Sequence, residues 1–286
     1  MITPTAEDTL LRFTKHHGAG NDFLVQLDLG GRGLLLPELV RALCDRRFGI
    51  GADGVIRVLD GAGSADLTMV LQNADGSEAE MSGNGMRCLA QAAVQNALVS
   101  RPTFTVATAG GIKSVAFAQA VDPDTAWATV GMGRAELGGN QPQKFADRKV
   151  RAVDMGNPHL VMFGPDLDDV DVAGIGTHLQ TVYPSGINVE FIALADGPDA
   201  VALRVFERGV GETLACGTGS AAAAAAAHSW GLVGTRVAVH NPGGILEVTL
   251  GDEEILLAGP VHRVGSVVIS PSAVLAAARP QMSSTL

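Results

Sequence analysis

Short apolar runs rich in β-branched residues recur along most of the chain, and they read as strands. "DGVIRVL" from Asp53, "LTMVLQN" from Leu67, "TFTVATA" from Thr103, "IKSVAFA" from Ile112 and "AWATVGM" from Ala126 are bounded by Gly, Asp or Pro. The texture returns in "VRAVDMG", "HLVMFG", "INVEFIAL", "VALRVFE", "TRVAVH", "GILEVTL", "EEILLAG" and "RVGSVVIS". Helical spacing is rarer. "PELVRALCDRR" starts on Pro37, suited to a first helical position, and sets Leu39, Val40, Leu43 and Cys44 on one face. "SAAAAAAAHSW" has no polar face over its first turns, so it predicts a buried helix whose small side chains let strands approach closely. Strands wrapped around a central helix satisfy both patterns, and periodicity does not separate a barrel from a sandwich.

The pattern also repeats. "EAEMSGNGMRC", residues 78–88, and "LACGTGSAAA" from Leu214 superpose when Ser82 is set against Cys216. Both continue as Gly-x-Gly and a helix-like stretch, then Leu98-Val99 against Leu232-Val233. A strand and a Gly-Gly turn follow, Gly110-Gly111 against Gly243-Gly244, with one residue of difference in spacing. Nine residues upstream of the aligned pair stand Asn73 and Glu207. The chain reads as two versions of one β-rich unit, which agrees with 286 residues against roughly 150 per domain.

Composition removes several classes. A net charge of -10 without a basic cluster argues against a nucleic-acid partner. The alanine run is far shorter than the ~20 apolar residues of a membrane span. "MITPTAEDTLLRF" lacks a basic start and an apolar stretch, which predicts a cytoplasmic protein. Three cysteines without C-x-x-C spacing describe neither a disulfide framework nor a zinc site, so reduced thiols are expected.

Candidate chemistry gathers at the two helix starts. A first helical turn carries free N–H groups and a partial positive charge, so it attracts anions. Glycines at 83, 85, 217 and 219 would let a carboxylate reach the backbone. The same field would lower the thiol pKa of Cys216 from about 8.5 and make it reactive. Seen alone, a Cys before a Gly-rich turn is more often inert than catalytic. "GIGADG" at Gly49 matches G-x-G-x-x-G but follows a charged helix end, so a dinucleotide site is discounted. His16 and His17 are adjacent and cannot share a strand face; His228, His240 and His262 lack ligand spacing; Cys44 and Cys88 read as buried apolar residues. No metal or cofactor is called for. Two related helix starts facing one cleft would bind one carboxylate and present a side chain to each side of its α-carbon, the geometry for inverting a stereocentre.

Six ordered segments, "KHHGAGNDFLV" from Lys15, "DRRFGIGADGV" from Asp45, "NADGSEAEMSGNGMRC" from Asn73, "GNPHLV" from Gly156, "GINVEF" from Gly186 and "ERGVGETLACGTG" from Glu207, resemble the diaminopimelate epimerase family. The resemblance implies an α+β fold of two pseudo-symmetric β-barrel-like domains, each wrapped around a central helix. It places them at 1–130 and 131–261, with a strand near 262–271 returning to the first. It further implies a homodimer that interconverts LL- and meso-diaminopimelate without a cofactor, on the route to lysine and peptidoglycan. Two cysteines of the family remove and deliver the α-proton on opposite faces. By motif, Cys216 matches the second of them, Ser82 stands at the first, and His159 and Glu207 match residues supporting the pair. Asn21, Asn73, Gly83, Asn84, Asn157, Asn188, Glu207, Arg208, Gly217 and Thr218 match substrate contacts. On their own terms Asn157 and Asn188 could equally cap turns, and Arg208 beside Glu207 could form a surface ion pair. Gly54 stands where members often carry Gln.

Ser82 is the graver departure, since an alcohol is a far weaker acid than a thiol. It leaves three readings: an epimerase with reduced activity, a one-base or dehydratase-like relative in which Ser82 acts with a neighbour such as His159, or an amino-acid binder without catalysis.

Overall fold

The computed structural model describes residues 10–31, 33, 35–119, 122–140 and 148–278. Its first half runs β1 (Leu11–Gly18), β2 (Asn21–Leu27), α1 (Pro37–Cys44), β3 (Gly54–Asp60), β4 (Leu67–Asn73), β5 (Glu78–Ala79), α2 (Gly83–Gln95), β6 (Thr103–Thr108), β7 (Gly111–Gln119) and β8 (Thr125–Gly133). The second runs β9 (Glu136–Asn140), β10 (Lys149–Asp154), β11 (Pro158–Phe163), α3 (Val172–Val182), β12 (Asn188–Leu194), β13 (Ala200–Glu207), β14 (Gly211–Thr213), α4 (Gly217–Ser229), β15 (Arg236–Asn241) and β16 (Gly244–Leu250). β17 (Ile255–Ile269) and α5 (Pro271–Ala277) close the described chain.

The two halves share a pairing pattern. β2 runs parallel to β3 as β11 does to β12, and β4 parallel to β6 as β13 does to β15. The hairpins β3–β4 and β12–β13 are antiparallel in both. The long β17 serves both halves: Ile255–Ala258 pairs with β16, Ile255–His262 with β8, and His262–Ile269 with β1. The architecture is α+β, with strands closed around helices.

α2 packs among β1, β2, β3, β7, β8 and β17, and α4 among β10, β11, β12, β13, β15, β16 and β17. Ala221 to Ala227 are all buried, so α4 is an alanine rod inside strands, held by the residue of highest helix propensity. One apolar core joins both helices. Two smaller clusters lie outside: Leu39, Val40 and Leu43 of α1 against Phe13, Leu24 and Val55, and Val172 and Leu179 of α3 against Val189 and Phe191. The Gly49 loop leaves α1 rather than a strand, which agrees with discounting it as a dinucleotide site.

Candidate active site

Ser82 and Cys216 are the N-caps of α2 and α4, with nearly the same backbone, φ -135° ψ 124° and φ -122° ψ 122°. Ser82 Oγ accepts a hydrogen bond from Gly85 N at 3.1 Å, and Cys216 Sγ one from Gly219 N at 3.3 Å. The two helix starts abut. A Cβ built on Gly217 would lie 3.2 Å from Gly83 Cα, and Leu257 Cδ2 would be 3.0 Å from it and 2.7 Å from a Cβ on Gly83. Only glycine allows this approach. Asn84 Nδ2 bridges the halves by donating to the Ala215 carbonyl at 3.1 Å, immediately before Cys216.

Strand register defines equivalent positions more finely than the motifs do. Asn73 pairs with Gly54, which pairs with Phe23; Glu207 lies in the same relation to Asn188, which pairs with His159. Two residues along β3 and β12, Ile56 corresponds to Glu190. A Cβ on Gly85 would meet Ile56 Cδ1 at 3.1 Å, and one on Gly219 would meet Glu190 Oε1 at 2.8 Å. The two helix starts therefore have the same shape and different floors.

Acid–base groups collect on the Cys216 side. His159 Nδ1 lies 2.7 Å from Glu190 Oε1, both fully buried, and His159 Nε2 donates to Asn157 Oδ1 at 3.0 Å. Glu207 Oε1 accepts from Thr213 Oγ1 at 2.5 Å. Burial pushes the Glu207 carboxyl above the usual carboxylate range. Cys216 itself corrects the expectation of a lowered thiol pKa. Burial first, then the charges of Glu207 and Glu190, push it well above the ordinary value, and the Thr218 hydroxyl and Gly219 amide offset only part of this. The resting group is a thiol, because one helix start does not outweigh desolvation beside two carboxylates.

The Ser82 side is held by amides. Asn21 Nδ2 donates to Asp53 Oδ2 at 2.8 Å, and Asn21 Oδ1 accepts from Asn84 Nδ2 at 3.1 Å, which sets both amide orientations. Asp53 is anchored in turn by Arg46 at 2.8 Å. Asn73 Nδ2 donates to Ser77 Oγ at 3.1 Å. Asn188 caps local backbone, donating to Pro158 O at 3.0 Å and accepting from Arg208 N at 3.0 Å. The Arg208 side chain is exposed, lies over Gly186 and donates to Ser185 O at 3.3 Å; no ion pair joins it to Glu207 among the described residues. At Gly54 a Cβ would fall 2.6 Å from Gln72 O, so this backbone has no room for a side chain.

Other candidates lie apart. His16 is buried between Gln91 Oε1 and Thr14 Oγ1, each at 2.8 Å, while His17 stacks on His262 with centroids 5.0 Å apart. Cys44 and Cys88 are buried, and burial pushes each thiol up to about 12. Sequence reasoning missed Glu190, Asp53, Thr213 and Arg87. Glu190 had a signal, a lone carboxylate inside the apolar strand "INVEFIAL", as did Arg87, a cation inside a buried helix.

The model of the family described as diaminopimelate epimerase matches residues 13–138 and 151–264. A diaminopimelate epimerase of Desulforudis audaxviator is 40% identical over 274 residues, covering 89% of this chain and 95% of the relative. One of Mycolicibacterium smegmatis is 42% identical over 285 residues, covering 91% and 97%. Among solved structures, a Bacillus anthracis phenazine biosynthesis protein of the PhzF family aligns with a TM-score of 0.70 at 16% identity, covering 91% of this chain and 99% of that one. A hydroxyproline epimerase from Agrobacterium vitis aligns with a TM-score of 0.65 at 17% identity, covering 91% of each. These two likenesses concern the fold.

Proposed function

The chain belongs to the diaminopimelate epimerase family, and from that premise we propose that it interconverts LL- and meso-diaminopimelate by moving the α-proton between Cys216 on one face and Ser82 on the other. The observation that carries this reading is the pair of abutting helix starts capped by these two side chains. The substrate α-carboxylate binds the free amides at Gly83, Asn84, Gly217 and Thr218, where both helix dipoles favour negative charge. Asn21, Asn73, Asn157, Asn188, Glu207 and Arg208 contact the rest of the amino acid.

For removal of the α-proton, Cys216 gives its thiol proton to Glu207 and the thiolate takes the proton from carbon. The resulting carbanion spreads onto the carboxylate, where the helix amides stabilise it. Return of a proton from Cys216 restores the starting isomer; delivery from Ser82 O–H inverts it, after which Ser82 regains a proton from solvent and Glu207 releases to solvent the one it took. Among the described residues Ser82 has no carboxylate or imidazole beneath it comparable to His159 and Glu190, so delivery from that face is the slow step. His159 acts through Glu190 and Asn157 to hold the floor of the Cys216 side. The reaction needs no cofactor and serves lysine and peptidoglycan precursor synthesis in the cytoplasm. The working halves are 1–130 and 131–261, with 262–271 returning to the first. Exposed Val264 and Val268 on β17 support a homodimer, which sedimentation will test. No helix among the described residues is long and apolar enough to cross a membrane.

Incubation of both isomers in D₂O, followed at the α-proton by NMR, tests the proposal. Exchange accompanied by slower inversion supports it. Exchange without any inversion leaves a single base at Cys216, and binding without exchange reduces the protein to an amino-acid binder; either result overturns the two-face mechanism.

A further inference from the structure

Arg87 lies in the second turn of α2 and is fully buried, yet among the described residues no carboxylate pairs with it. Helical side chains point back toward the N-terminus, and the guanidinium accordingly returns to the first turn. Its Nη1 donates to Gly83 O at 3.3 Å, its Nη2 to Asn84 Oδ1 at 2.7 Å, and its Nε to Pro260 O at 3.4 Å. Two glycines make room: a Cβ on Gly18 would lie 2.8 Å from Nη2, and one on Gly259 3.4 Å from Cζ. Burial pulls the guanidinium down to about 10, still charged at neutral pH. The equivalent residue of α4 is Ala221. An isolated cation this deep is costly to keep out of water and persists where something offsets it.

The geometry points to Arg87 as a positioning residue: it locks the Asn84 amide between Asn21 and the Ala215 carbonyl, and its positive charge under the α2 start is neutralised by the substrate carboxylate. The inference rests on the proposed carboxylate site. With its Oδ1 held by Arg87, Asn84 can only donate through Nδ2, and those donors reach Asn21 at 3.1 Å and Ala215 at 3.1 Å. One rotamer thus ties a residue of the first half to the residue preceding Cys216. The free protein keeps an unpaired charge, and the ligand completes the pair. Stability is spent on affinity.

Asn84→Asp separates this from a structural role. It puts a carboxylate against Arg87, satisfying the charge internally, and it removes the donor to Asn21 and Ala215. The expected result is a thermal midpoint equal to or above wild type, with the Kd for meso-diaminopimelate by calorimetry weakened at least about tenfold, as for loss of a charge-assisted contact. Arg87→Lys, which keeps the cation and loses the fork, is expected to weaken Kd less than Arg87→Met. Wild-type affinity in Asn84→Asp, or a fall of stability together with affinity, overturns the proposal. The stability arm needs no ligand, so it also stands if wild type fails to bind diaminopimelate, a result that would instead remove the proposed function.

Discussion

Replacing Ser82 by Cys is the most direct perturbation of the proposed proton path. The site already shows what a sulfur cap requires: Gly219 N sits 3.3 Å from Cys216 Sγ, against 3.1 Å from Gly85 N to Ser82 Oγ, on backbones that differ by 13° in φ and 2° in ψ. The extra size of sulfur is taken up by about 0.2 Å at the cap and by the half-buried side of Ser82, so the cost in stability should stay within about 1 kcal/mol. The gain is chemical. A positioned general acid or base contributes about 10²–10⁴-fold, which corresponds to roughly 3–5 kcal/mol of barrier. Inversion of LL-diaminopimelate should therefore rise by at least about 10²-fold, while exchange through Cys216, which does not use Ser82, should change by less than about threefold. Both rates come from one NMR time course in D₂O, with Cys216→Ala as the control that abolishes exchange. If inversion stays within threefold of wild type while exchange persists, Ser82 does not face the α-carbon and the two-face mechanism is wrong.

Further outcomes follow from the surroundings of the site. Glu190→Gln removes one of the charges that raise the Cys216 thiol, so the pH midpoint for its alkylation by iodoacetamide should drop; an unchanged midpoint refutes the electrostatic coupling. At pH 8 the native protein should leave Cys44 and Cys88 unmodified, and mass spectrometry should find them labelled only after denaturation. Gly217→Ala has no backbone penalty inside a helix, yet its methyl meets Gly83 at 3.2 Å, so exchange should fall at least about tenfold, with a loss of stability of about 1–3 kcal/mol in urea. His16 is held near pKa 4 against 6.5 unfolded, mainly by burial. The unfolded chain binds the proton more readily, so this contribution is present above pH 6.5 and is lost as pH falls toward 4, roughly 3 kcal/mol in all. His16→Gln should flatten that part of the stability profile; equal slopes in the two proteins exclude it.

The strands, the alanine helix and the duplication were legible because each rests on a local pattern that survives folding. Ser82 and Cys216 could be set opposite one another from spacing alone, since both precede Gly-x-Gly at a helix start. The thiol pKa was not legible: the helix dipole is encoded locally, but the desolvation and the carboxylates that outweigh it come from β12 and β13, brought under α4 only by strand register. Arg208 illustrates the same limit. Its neighbour in sequence, Glu207, turns inward to Thr213 while Arg208 turns out to Ser185, so adjacency along the chain said nothing about pairing. Asp53 was hidden because its role is to orient Asn21, a contact across two strands.

Duplication explains why the halves keep their backbone and differ in side chains. Capping and dipole need only N–H groups at a helix start, and both copies preserve those with Ser or Cys as cap. Proton transfer needs more, and here the copies part: Phe23, Ile56 and Asn73 occupy the positions held in the second half by His159, Glu190 and Glu207. Buried charge marks the difference, with Glu190 and Glu207 beneath Cys216 and the guanidinium of Arg87 beneath the α2 start. A carboxylate bridging the two helices then lies in a field directed from the Ser82 side toward the Cys216 side. Negative charge developing on that carboxylate is drawn toward α2, and a proton leaving carbon is drawn toward the carboxylates below Cys216. On the proposed mechanism the asymmetry makes proton removal at the Cys216 face the easier of the two steps, and it predicts that meso- and LL-substrates, which would present their α-proton to different faces, exchange at unequal rates. Equal rates for both isomers would show that the buried charges do not bias the reaction.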